Sequence, residues 1–347
     1  MQGTSGLVLG RVDEVRMKKT IWLPRVAVSY YSEEKAAFEK AIISVNGMDG
    51  HTQISADAVQ FGFSVFEGMR AYVVDNKYMV FRSLDHHERM VRSCAALDMP
   101  CPSYETFIDA IRMIVEGNYD EAEGDLLYVR PLVFATSGGI MAQQHRAFTF
   151  AALCTTQDIA NGDIKVLVEA AGNPRTVPAF SSVKTASNYT HAGLITRRAQ
   201  SEGYDTVLWL DGDGNVQECT TMNIFFCMKG GIFTPRLGNI LPGITRKTMI
   251  ELLREQGCEV TERDLHISEI TDSIKNGTMS YIFTTSTALG ISRVTLLRHL
   301  LEDHSIGREP PKSVSAAIKE YRRVTREFPL GLPAHRGIEK RSYLGVV

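Results

Sequence analysis

The sequence predicts a two-domain protein of mixed helix and strand, of the α+β or α/β class. A chain of 347 residues is too long for one small core. Short apolar runs typical of strands alternate with segments whose apolar residues have helical spacing. A polar, turn-rich stretch, TTQDIANGD, separates two such sets. We therefore predict a small α+β domain at residues 1–154, a linker at 155–163, a larger domain at 164–328 and an irregular tail at 329–347.

The first domain begins with two predicted hairpins. In ISVNGMDGHTQI, at residues 43–54, apolar runs flank Asn-Gly and Asp-Gly pairs, which favour tight turns. AYVVDNKYMVF, at residues 71–81, repeats this pattern around Asp-Asn. Two helices and two strands are predicted to follow, the helices at 84–97 and 104–116 and the strands at 126–134 and 147–154.

The second domain is predicted to contain at least five strands and three helices. DGDGN, at residues 211–215, is predicted to be a hairpin turn, because the bidentate glutamate of a calcium loop does not follow at the right spacing. The strands are expected near 164–170, 206–210, 224–228, 231–234 and 280–285, and the helices near 190–201, 245–257 and 313–328.

The composition narrows the functional class. A net charge of −2 gives no indication of a partner such as nucleic acid or an anionic membrane. No apolar run approaches the ~20 residues of a membrane span, and the N-terminus lacks the apolar core of a signal peptide. The six cysteines include no CxxC pair, and the nine histidines form no ligand-spaced cluster. We therefore expect reduced thiols, no metal and a cytoplasmic location.

Lys184 lies in a segment of unusual composition. The stretch FSSVKTASNY, at residues 180–189, surrounds this lysine with small, hydroxylated and apolar residues and no carboxylate. A lysine without a functional role usually lies at the surface among other charges. Taken alone, this lysine would still be interpreted as a loop residue, so its significance depends on the rest of the chain.

Four other segments carry chemistry that suits a bound anion and a ring. In NILPGITRKTMIELL, Pro and Gly precede a helix that begins near Thr245, and the amides at such a helix start bind phosphate well. VQECTTMNIFF places Glu218 alone among Thr and apolar residues, and FTTSTALGI ends an apolar strand in a Ser/Thr cluster. SVFEGMRAY and LDHHERM supply Arg70 and Arg89. Each segment alone is usually structural, but the combination is specific.

In this combination the chain resembles the fold-type IV pyridoxal-phosphate aminotransferases, most closely the branched-chain amino-acid aminotransferases. The shared motifs occur in the family's order over roughly residues 43–293, and they are FGFSVFEGMRAY, DHHERMVRS, YVRPLVF, the Lys…NY segment, ECTTMNIF, LPGITR and STA. The resemblance implies a small α+β N-terminal domain and a larger C-terminal domain with a β-barrel-like core. It also implies pyridoxal 5′-phosphate as the cofactor.

The resemblance implies a role for each cofactor residue. Lys184 would form the Schiff base with the cofactor and carry the proton between the substrate Cα and the cofactor C4′. Lysine has an ordinary pKa of about 10.4, so a desolvated pocket without carboxylates suits the neutral amine that must attack an aldehyde. Glu218 would hold the pyridine nitrogen protonated, and Tyr189 would donate to the phenolate oxygen. The remaining implied contacts are the Arg89 side chain, Leu241 on the ring face, the amides of Ile244 and Thr245, and the Thr287 hydroxyl.

The substrate contacts implied by the resemblance lie in two segments. Tyr128 and Arg130 belong to YVR, and the amides of Ala288 and Leu289 would bind the α-carboxylate. Phe66, in VFEG, would form a wall of the side-chain pocket, with plain core packing as an equal alternative. The implied reaction is transamination between a branched-chain or related hydrophobic L-amino acid and the 2-oxoglutarate/glutamate pair.

Two departures from the family concern the substrate rather than the cofactor. Phe61 stands where many branched-chain enzymes carry a tyrosine, and this change would remove a hydroxyl from the pocket. Leu289 and Gly290 replace the usual continuation of the STA strand end, which would narrow the carboxylate site or tilt its amides. An unusual β-branched or aromatic amino donor therefore fits as well as leucine, isoleucine or valine.

Other functions on the same scaffold are disfavoured by particular motifs. A lyase of the aminodeoxychorismate type, or a D-amino-acid or amine transaminase, is less compatible with FEGMR and YVR. A binding protein that lost its chemistry is disfavoured because the lysine, glutamate, tyrosine and arginine of the cofactor site are all present. The resemblance also implies a homodimer or larger assembly, small-molecule substrates, and no nucleic-acid or membrane partner.

Overall fold

A computed structural model describes residues 23, 25–45, 52–74, 77–118, 126–138, 147–156, 162–307, 309–327 and 344–346. Within these residues the chain forms two nine-stranded sheets and seven α-helices. Apart from one short C-terminal strand, the first sheet uses residues before 156 and the second uses residues after 162. The two sets of elements recognised in the sequence therefore form separate sheets.

The first sheet is antiparallel in all of its described pairs. Its spatial order is β18-β6-β5-β7-β8-β1-β2, with β3 beside β1 and β4 beside β7, and its strands are β1 (Arg25–Ser32), β2 (Ala37–Phe38), β3 (Ile42–Val45), β4 (Ser64–Phe66), β5 (Met69–Val74), β6 (Lys77–Phe81), β7 (Leu126–Ala135), β8 (Phe148–Thr155) and β18 (Leu344–Val346).

The second sheet is mixed, because β9 pairs in parallel with both β10 and β16, and β13 pairs in parallel with β14. Its order is β11-β10-β9-β16-β15-β12-β13-β14, with β17 beside β16, and its strands are β9 (Asp163–Val168), β10 (Thr206–Leu210), β11 (Val216–Cys219), β12 (Asn223–Met228), β13 (Gly231–Pro235), β14 (Val260–Arg263), β15 (Met279–Ser286), β16 (Gly290–His299) and β17 (Glu302–Ser305).

The helices pack their apolar faces on these sheets. On the first sheet α3 buries Phe107, Ile111 and Ile114, which are three or four residues apart and so share one face. Ser103 caps this helix by accepting from the Thr106 amide at 3.2 Å. The helices are α1 (Asp57–Gln60), α2 (Ser83–Ala96), α3 (Tyr104–Gly117), α4 (Ser187–Ser201), α5 (Ile244–Glu255), α6 (Ile267–Lys275) and α7 (Lys312–Arg322).

Most elements predicted from the sequence are confirmed. The β5–β6 hairpin, the helices α2, α3, α4, α5 and α7, and the predicted strands of both sheets lie within a few residues of their expected bounds. The DGDGN turn joins the antiparallel strands β10 and β11, and the Asp211 carboxylate accepts from the Asn215 amide at 2.8 Å. The hairpin predicted at 43–54 is wrong in its second arm, because β3 pairs with β1 and residues 52–54 are not in a strand. Residues 46–51 lie outside the described residues.

Three substantial elements were not predicted, namely β1, β16 and α6. Residues 344–346, expected in an irregular tail, instead pair with β6 at the edge of the first sheet. None of the helices within the described residues is long and apolar enough to span a membrane. The same residues contain no group of three or more His, Cys, Asp or Glu side chains placed to hold a metal.

Glu67 fixes helix α2 against the first sheet. Its side chain is fully buried in the turn between β4 and β5 and accepts from Arg89 Nε at 2.7 Å and Nη2 at 2.6 Å. His86 Nδ1 lies 2.7 Å from the same carboxylate. Burial alone would raise the pKa of Glu67, but the charge of Arg89 and the hydrogen bonds from Arg89 and His86 outweigh it and hold the pKa well below its usual range.

We expect Glu67→Gln to lower the free energy of unfolding by about 3–5 kcal/mol at neutral pH, because the Arg89 charge would remain buried without its partner. Since the pKa of Glu67 is lower in the folded state, its ionisation stabilises the fold above its unfolded pKa of about 4.3. This contribution is lost as the pH falls through that value toward the folded pKa. Denaturant unfolding at pH 7 and at several acidic pH values measures both effects.

Glu39→Gln is the matched control, because Glu39 is half-exposed and pairs with Lys35 at the surface. Its effect should stay within about 0.5 kcal/mol. Equal destabilisation by the two substitutions would contradict the assigned role of Glu67. The role would also be contradicted if the loss of unfolding free energy in Glu67→Gln, relative to wild type, did not become smaller at acidic pH.

Candidate active site

A cavity of about 430 Å³ is lined by residues of both sheets. The first sheet contributes β4 and β7, and the second contributes β11, the start of α5 and the end of β15. Every residue predicted from the sequence to bind cofactor or substrate lines this cavity except Leu289. The structure therefore brings together residues that are up to 222 positions apart in the chain, from Phe66 to Ala288.

Lys184 enters the cavity from the segment between a 3₁₀ turn at Pro178–Phe180 and helix α4. Its amide donates to Ser93 Oγ on α2 at 3.0 Å, and its carbonyl accepts from the Phe66 amide at 3.1 Å. Its Nζ lies 2.9 Å from Tyr189 Oη and 4.6 Å from the centre of the Phe66 ring. The backbone of the lysine is thus fixed to the first sheet and α2, while the amine lies against two aromatic side chains.

Tyr189 lies in the first turn of α4, one turn beyond Lys184, and its ring centre is 5.2 Å from that of Phe66. Burial raises the pKa of Tyr189, but the charges of Lys184 and Arg175 and the hydrogen bond from Lys184 outweigh it and leave the pKa below its ordinary value. The hydroxyl is therefore a stronger acid than an ordinary tyrosine and a good donor to an anionic oxygen.

Glu218, on β11, is a buried carboxylate with three donors. Oε1 accepts from Arg175 Nη1 at 2.6 Å and from the Leu241 amide at 3.2 Å, and Oε2 accepts from Asn223 Nδ2 at 2.8 Å. Burial raises the pKa of Glu218 above its ordinary value, although Arg175 and the Leu241 amide act in the opposite direction. A carboxylate has about four acceptor positions, so one position on Oε2 is left for a donor in the cavity.

Arg175 is the principal site residue that the sequence analysis missed. It is buried, donates to Glu218, and holds its guanidinium 5.3 Å from the centre of the Tyr189 ring. Its Nε has no hydrogen-bond partner among the described residues. In the sequence it is a single arginine in the loop GNPRTV, and only its position nine residues before Lys184 hinted at a role.

One end of the cavity offers hydrogen-bond donors from a helix start. Helix α5 begins at Ile244 after an extended Gly243, so the amides of Ile244 and Thr245 have no intrahelical acceptor. A Cβ on Gly243 would lie 2.0 Å from Asn223 Oδ1, so the close approach of the two segments requires glycine. Such a helix start favours an anion.

Further donors surround the same end. Thr285 Oγ1 is buried and has no hydrogen-bond partner within the described residues, and Thr287 follows at the end of β15. Arg89 donates its Nη1 to the Pro242 carbonyl at 2.9 Å, directly before the α5 helix start. The buried, unpartnered hydroxyl and the positive charge both suit a phosphate group. Leu241 lies between this end and Glu218.

The opposite wall combines aromatic rings with one cation. The Arg130 guanidinium lies 5.0 Å from the Phe66 ring centre and 5.4 Å from that of Tyr128, and its Nη2 donates to Tyr128 Oη at 3.1 Å. Tyr128 packs over Gly68, where a Cβ would meet its Oη at 2.2 Å. This wall presents apolar ring surface and positive charge side by side.

The end of β15 differs from expectation in one respect. Ala288 lines the cavity, and its carbonyl accepts from Arg70 Nη2 at 2.7 Å, so Arg70 contacts the site through the backbone. The Leu289 amide donates to Ser286 Oγ at 2.9 Å, and Leu289 does not line the cavity. Phe61 also lies outside it and lines a second cavity of about 450 Å³ that shares Arg175 with the first. The inferred effect of Phe61 on the substrate pocket was therefore wrong.

Comparison with known proteins identifies relatives of this chain. The chain is 36% identical over 263 residues, 73% of each chain, to a probable branched-chain-amino-acid aminotransferase of Staphylococcus aureus strain N315. Among solved structures it resembles the branched-chain aminotransferase of the archaeon Thermoproteus uzoniensis, with a TM-score of 0.73, 22% identity and coverage of 93% and 99% of the two chains.

The fold is that of the fold-type IV enzymes. A branched-chain amino acid aminotransferase from T.th., solved with pyridoxamine 5′-phosphate, matches 92% of this chain and 97% of its own, with a TM-score of 0.74 and 22% identity. The sequence profile of the amino-transferase class IV family matches residues 64–297, more than half of the chain. The chain therefore belongs to the class IV aminotransferases, whose cofactor is pyridoxal 5′-phosphate.

Proposed function

We propose that this protein transfers the amino group of a branched-chain L-amino acid to 2-oxoglutarate, with pyridoxal phosphate held in the 430 Å³ cavity. The observation that carries the proposal is the shared position of three groups. The Lys184 amine and the Tyr189 hydroxyl, 2.9 Å apart, line the same cavity as the buried Glu218 carboxylate. A lysine, an acidic phenol and a buried carboxylate are the groups that this cofactor needs around its ring.

The residues present fit the cofactor. The remaining acceptor position of Glu218 suits a protonated pyridine nitrogen, and the Tyr189 hydroxyl suits the phenolate oxygen. The amides of Ile244 and Thr245, with the hydroxyls of Thr285 and Thr287, suit the phosphate, and Arg89 adds positive charge beside them. When bound, pyridoxal phosphate supplies an aldehyde for covalent attachment and a ring that withdraws electrons from the substrate Cα.

The chain's own residues perform the proton chemistry. We assign to Lys184 Nζ both the attachment of the cofactor and the movement of the proton at the substrate Cα. Tyr189 Oη, 2.9 Å away, orients this amine. The contacts of the lysine backbone with Ser93 and Phe66 restrict how far Nζ can move. Leu241 would pack on the face of the bound ring, and Glu218 would hold its nitrogen protonated.

The aromatic and cationic wall supports the proposed substrates. An aliphatic side chain would pack on the rings of Phe66 and Tyr128, and the second carboxylate of glutamate would reach the Arg130 guanidinium. We propose Ala288 and Leu289 as the contacts of the α-carboxylate. For Leu289 this requires its amide to exchange the bond to Ser286 Oγ for the substrate. The S. aureus relative, a probable branched-chain-amino-acid aminotransferase, supports this donor class.

The homodimer and the cytoplasmic location expected from the sequence belong to the same proposal. Two large apolar side chains that line the second cavity are exposed, Phe61 at 43% and Val177 at 58%. Such a surface suits burial by a second copy of the chain.

Lys184→Ala should abolish covalent attachment of the cofactor and reduce transamination at least ~10²-fold, the scale of one positioned proton-transfer group. Mass spectrometry after borohydride treatment should show the cofactor joined to the wild-type chain and absent from the variant. Lys319→Ala is the control, because this lysine is exposed on α7. Undiminished turnover in the Lys184 variant would refute the mechanism.

Arg175→Met should weaken pyridoxal-phosphate binding by about 10- to 100-fold, because hydrogen bonds to charged groups contribute roughly 1.5–3 kcal/mol. Without Arg175, Glu218 would keep only two neutral donors and would protonate more readily. Titration of the apoprotein with the cofactor measures the affinity. Arg198→Met, which removes a half-exposed arginine paired with Glu169, should leave the affinity unchanged. Equal affinities of the Arg175 variant and wild type would rule out a role for Arg175 at the cofactor.

The visible absorption of the holoenzyme tests the amino donor. L-Leucine alone, without an oxo acid, should bleach the band of the bound cofactor, and 2-oxoglutarate should restore it. D-Leucine should leave the band in place. A band that persists with L-leucine would remove the branched-chain assignment while leaving the cofactor site intact.

A further inference from the structure

The C-terminal end of helix α2 folds the chain back on itself at a pair of cysteines. Asp98 has a left-handed conformation (φ 52°), its amide donates to the Ala95 carbonyl at 3.2 Å, and the Met99 amide donates to the Cys94 carbonyl at 3.0 Å. This is the hydrogen-bond pattern of a Schellman motif, with aspartate at the position that glycine usually takes. The reversal brings Cys101, two residues beyond Met99, back to the last turn of the helix.

His87 holds the returning segment on the same helix. Its Nε2 lies 2.8 Å from the Pro102 carbonyl, and because a carbonyl only accepts, Nε2 carries the hydrogen. In the neutral ring Nδ1 is then the acceptor. The ring is fixed further by edge contacts with Tyr104 and Phe107 at 5.4 and 5.2 Å. Two hydrogen bonds to α2 therefore flank Cys101, one from the Met99 amide to the Cys94 carbonyl and one from the His87 ring to the Pro102 carbonyl.

The Cys101 thiol has two neighbours that can share its proton. It is hydrogen-bonded to the Cys94 thiol and to the His87 ring. The bond from Cys94 lowers the pKa of Cys101 below its ordinary value, burial opposes this, and His87 lowers it further. The same thiol–thiol bond, together with burial, raises the pKa of Cys94. Cys94 is fully buried, whereas Cys101 is half-buried.

We propose that Cys101 and Cys94 form a thiol–disulfide redox site that reacts with hydroperoxides. The Cys101 thiolate attacks one peroxide oxygen, the O–O bond breaks, and the leaving oxygen takes a proton to give water or an alcohol. Cys101 is then a sulfenic acid, oxidised by two electrons. The Cys94 sulfur attacks it, forms the S–S bond and releases water, with the Cys94 proton going to the departing hydroxide.

The site is separate from the chemistry of the proposed function. Neither cysteine lines the main cavity. Ser93, the residue before Cys94, accepts the hydrogen bond of the Lys184 amide, so the pair lies one residue from a contact of the active-site lysine. A partly exposed thiolate with a second thiol in contact is the arrangement that favours a disulfide over further oxidation.

A single tryptic peptide contains both cysteines, so its mass shows whether the disulfide has formed. Trypsin releases residues 93–112, which contain both cysteines, and a further cut at Asp98 separates them. The holoenzyme is treated with a few equivalents of hydrogen peroxide, unfolded, alkylated with iodoacetamide and digested. We expect residues 93–112 to be two hydrogens lighter and unalkylated, and the two halves to stay joined after cleavage at Asp98. Without peroxide, native Cys101 should alkylate at least ~10-fold faster than the half-buried Cys258.

Three variants make the result decisive. In Cys94→Ser, peroxide should leave a sulfenic acid on Cys101 that a cyclic 1,3-diketone traps. In Cys101→Ser, Cys94 should remain an alkylatable thiol, and Cys258→Ser should behave as wild type. The proposal is overturned if peroxide leaves both thiols free, if Cys101 proceeds to sulfinic acid without a joined peptide, or if Cys94 oxidises equally fast in Cys101→Ser. These readouts do not depend on transaminase activity.

Discussion

Two carboxylates buried beside the cavity, Glu67 and Glu218, constrain the elements around it. A carboxylate removed from water costs several kcal/mol unless a cation and further donors compensate. Here Arg89 on α2 pairs with Glu67, and Arg175, in the loop before Lys184, pairs with Glu218. Each pair joins elements that are distant in the chain, so breaking one would move more than a single side chain. Because these pairs already hold both arginines, their orientation is determined before any ligand binds.

The position of Lys184 depends on contacts with the first unit as well as on its own segment. By sequence Lys184 belongs to the second unit, yet its backbone bonds to Phe66 and Ser93 of the first, and Thr185 forms a bridge with Val65. Arg82 adds a second connection, because it donates to Thr248 and Glu251 of α5 at 3.1 and 2.9 Å. These hydrogen bonds fix the start of α5 relative to α2, the helix that carries Arg89. The cavity is thus preorganised by the docking of two sheets.

A site residue could be predicted only where a local sequence pattern marks it, and not where its role depends on contacts between distant segments. Lys184, Glu218 and the α5 start stand in short segments whose composition is unusual, so the sequence singled them out and the family resemblance implied their roles. Arg175 was missed because its role arises only when β11 approaches its loop, and no local pattern marks it. The strand β16 was missed because its buried positions do not alternate. Helix α6 was missed although Ile267, Ile270 and Ile274 lie at helical spacing, because its nine residues are shorter than the window over which a helical period is read. The Leu289 amide is a similar case, since its bond to Ser286 depends on a turn geometry that composition does not define.

Phe66 connects the cofactor end of the cavity with the substrate wall, which argues against plain core packing for this ring. Its ring lies 4.6 Å from Lys184 Nζ, 5.0 Å from the Arg130 guanidinium and 5.2 Å from the Tyr189 ring, and the side chain is only partly buried. A core phenylalanine would contact mainly aliphatic neighbours, whereas this ring contacts two cationic side chains. Under the proposed function, apolar substrate groups would gain contact area on the ring, and acidic ones would gain the adjacent guanidinium. One wall would then accommodate both members of the proposed substrate pair, and specificity would depend on the positions of Phe66 and Arg130 within it.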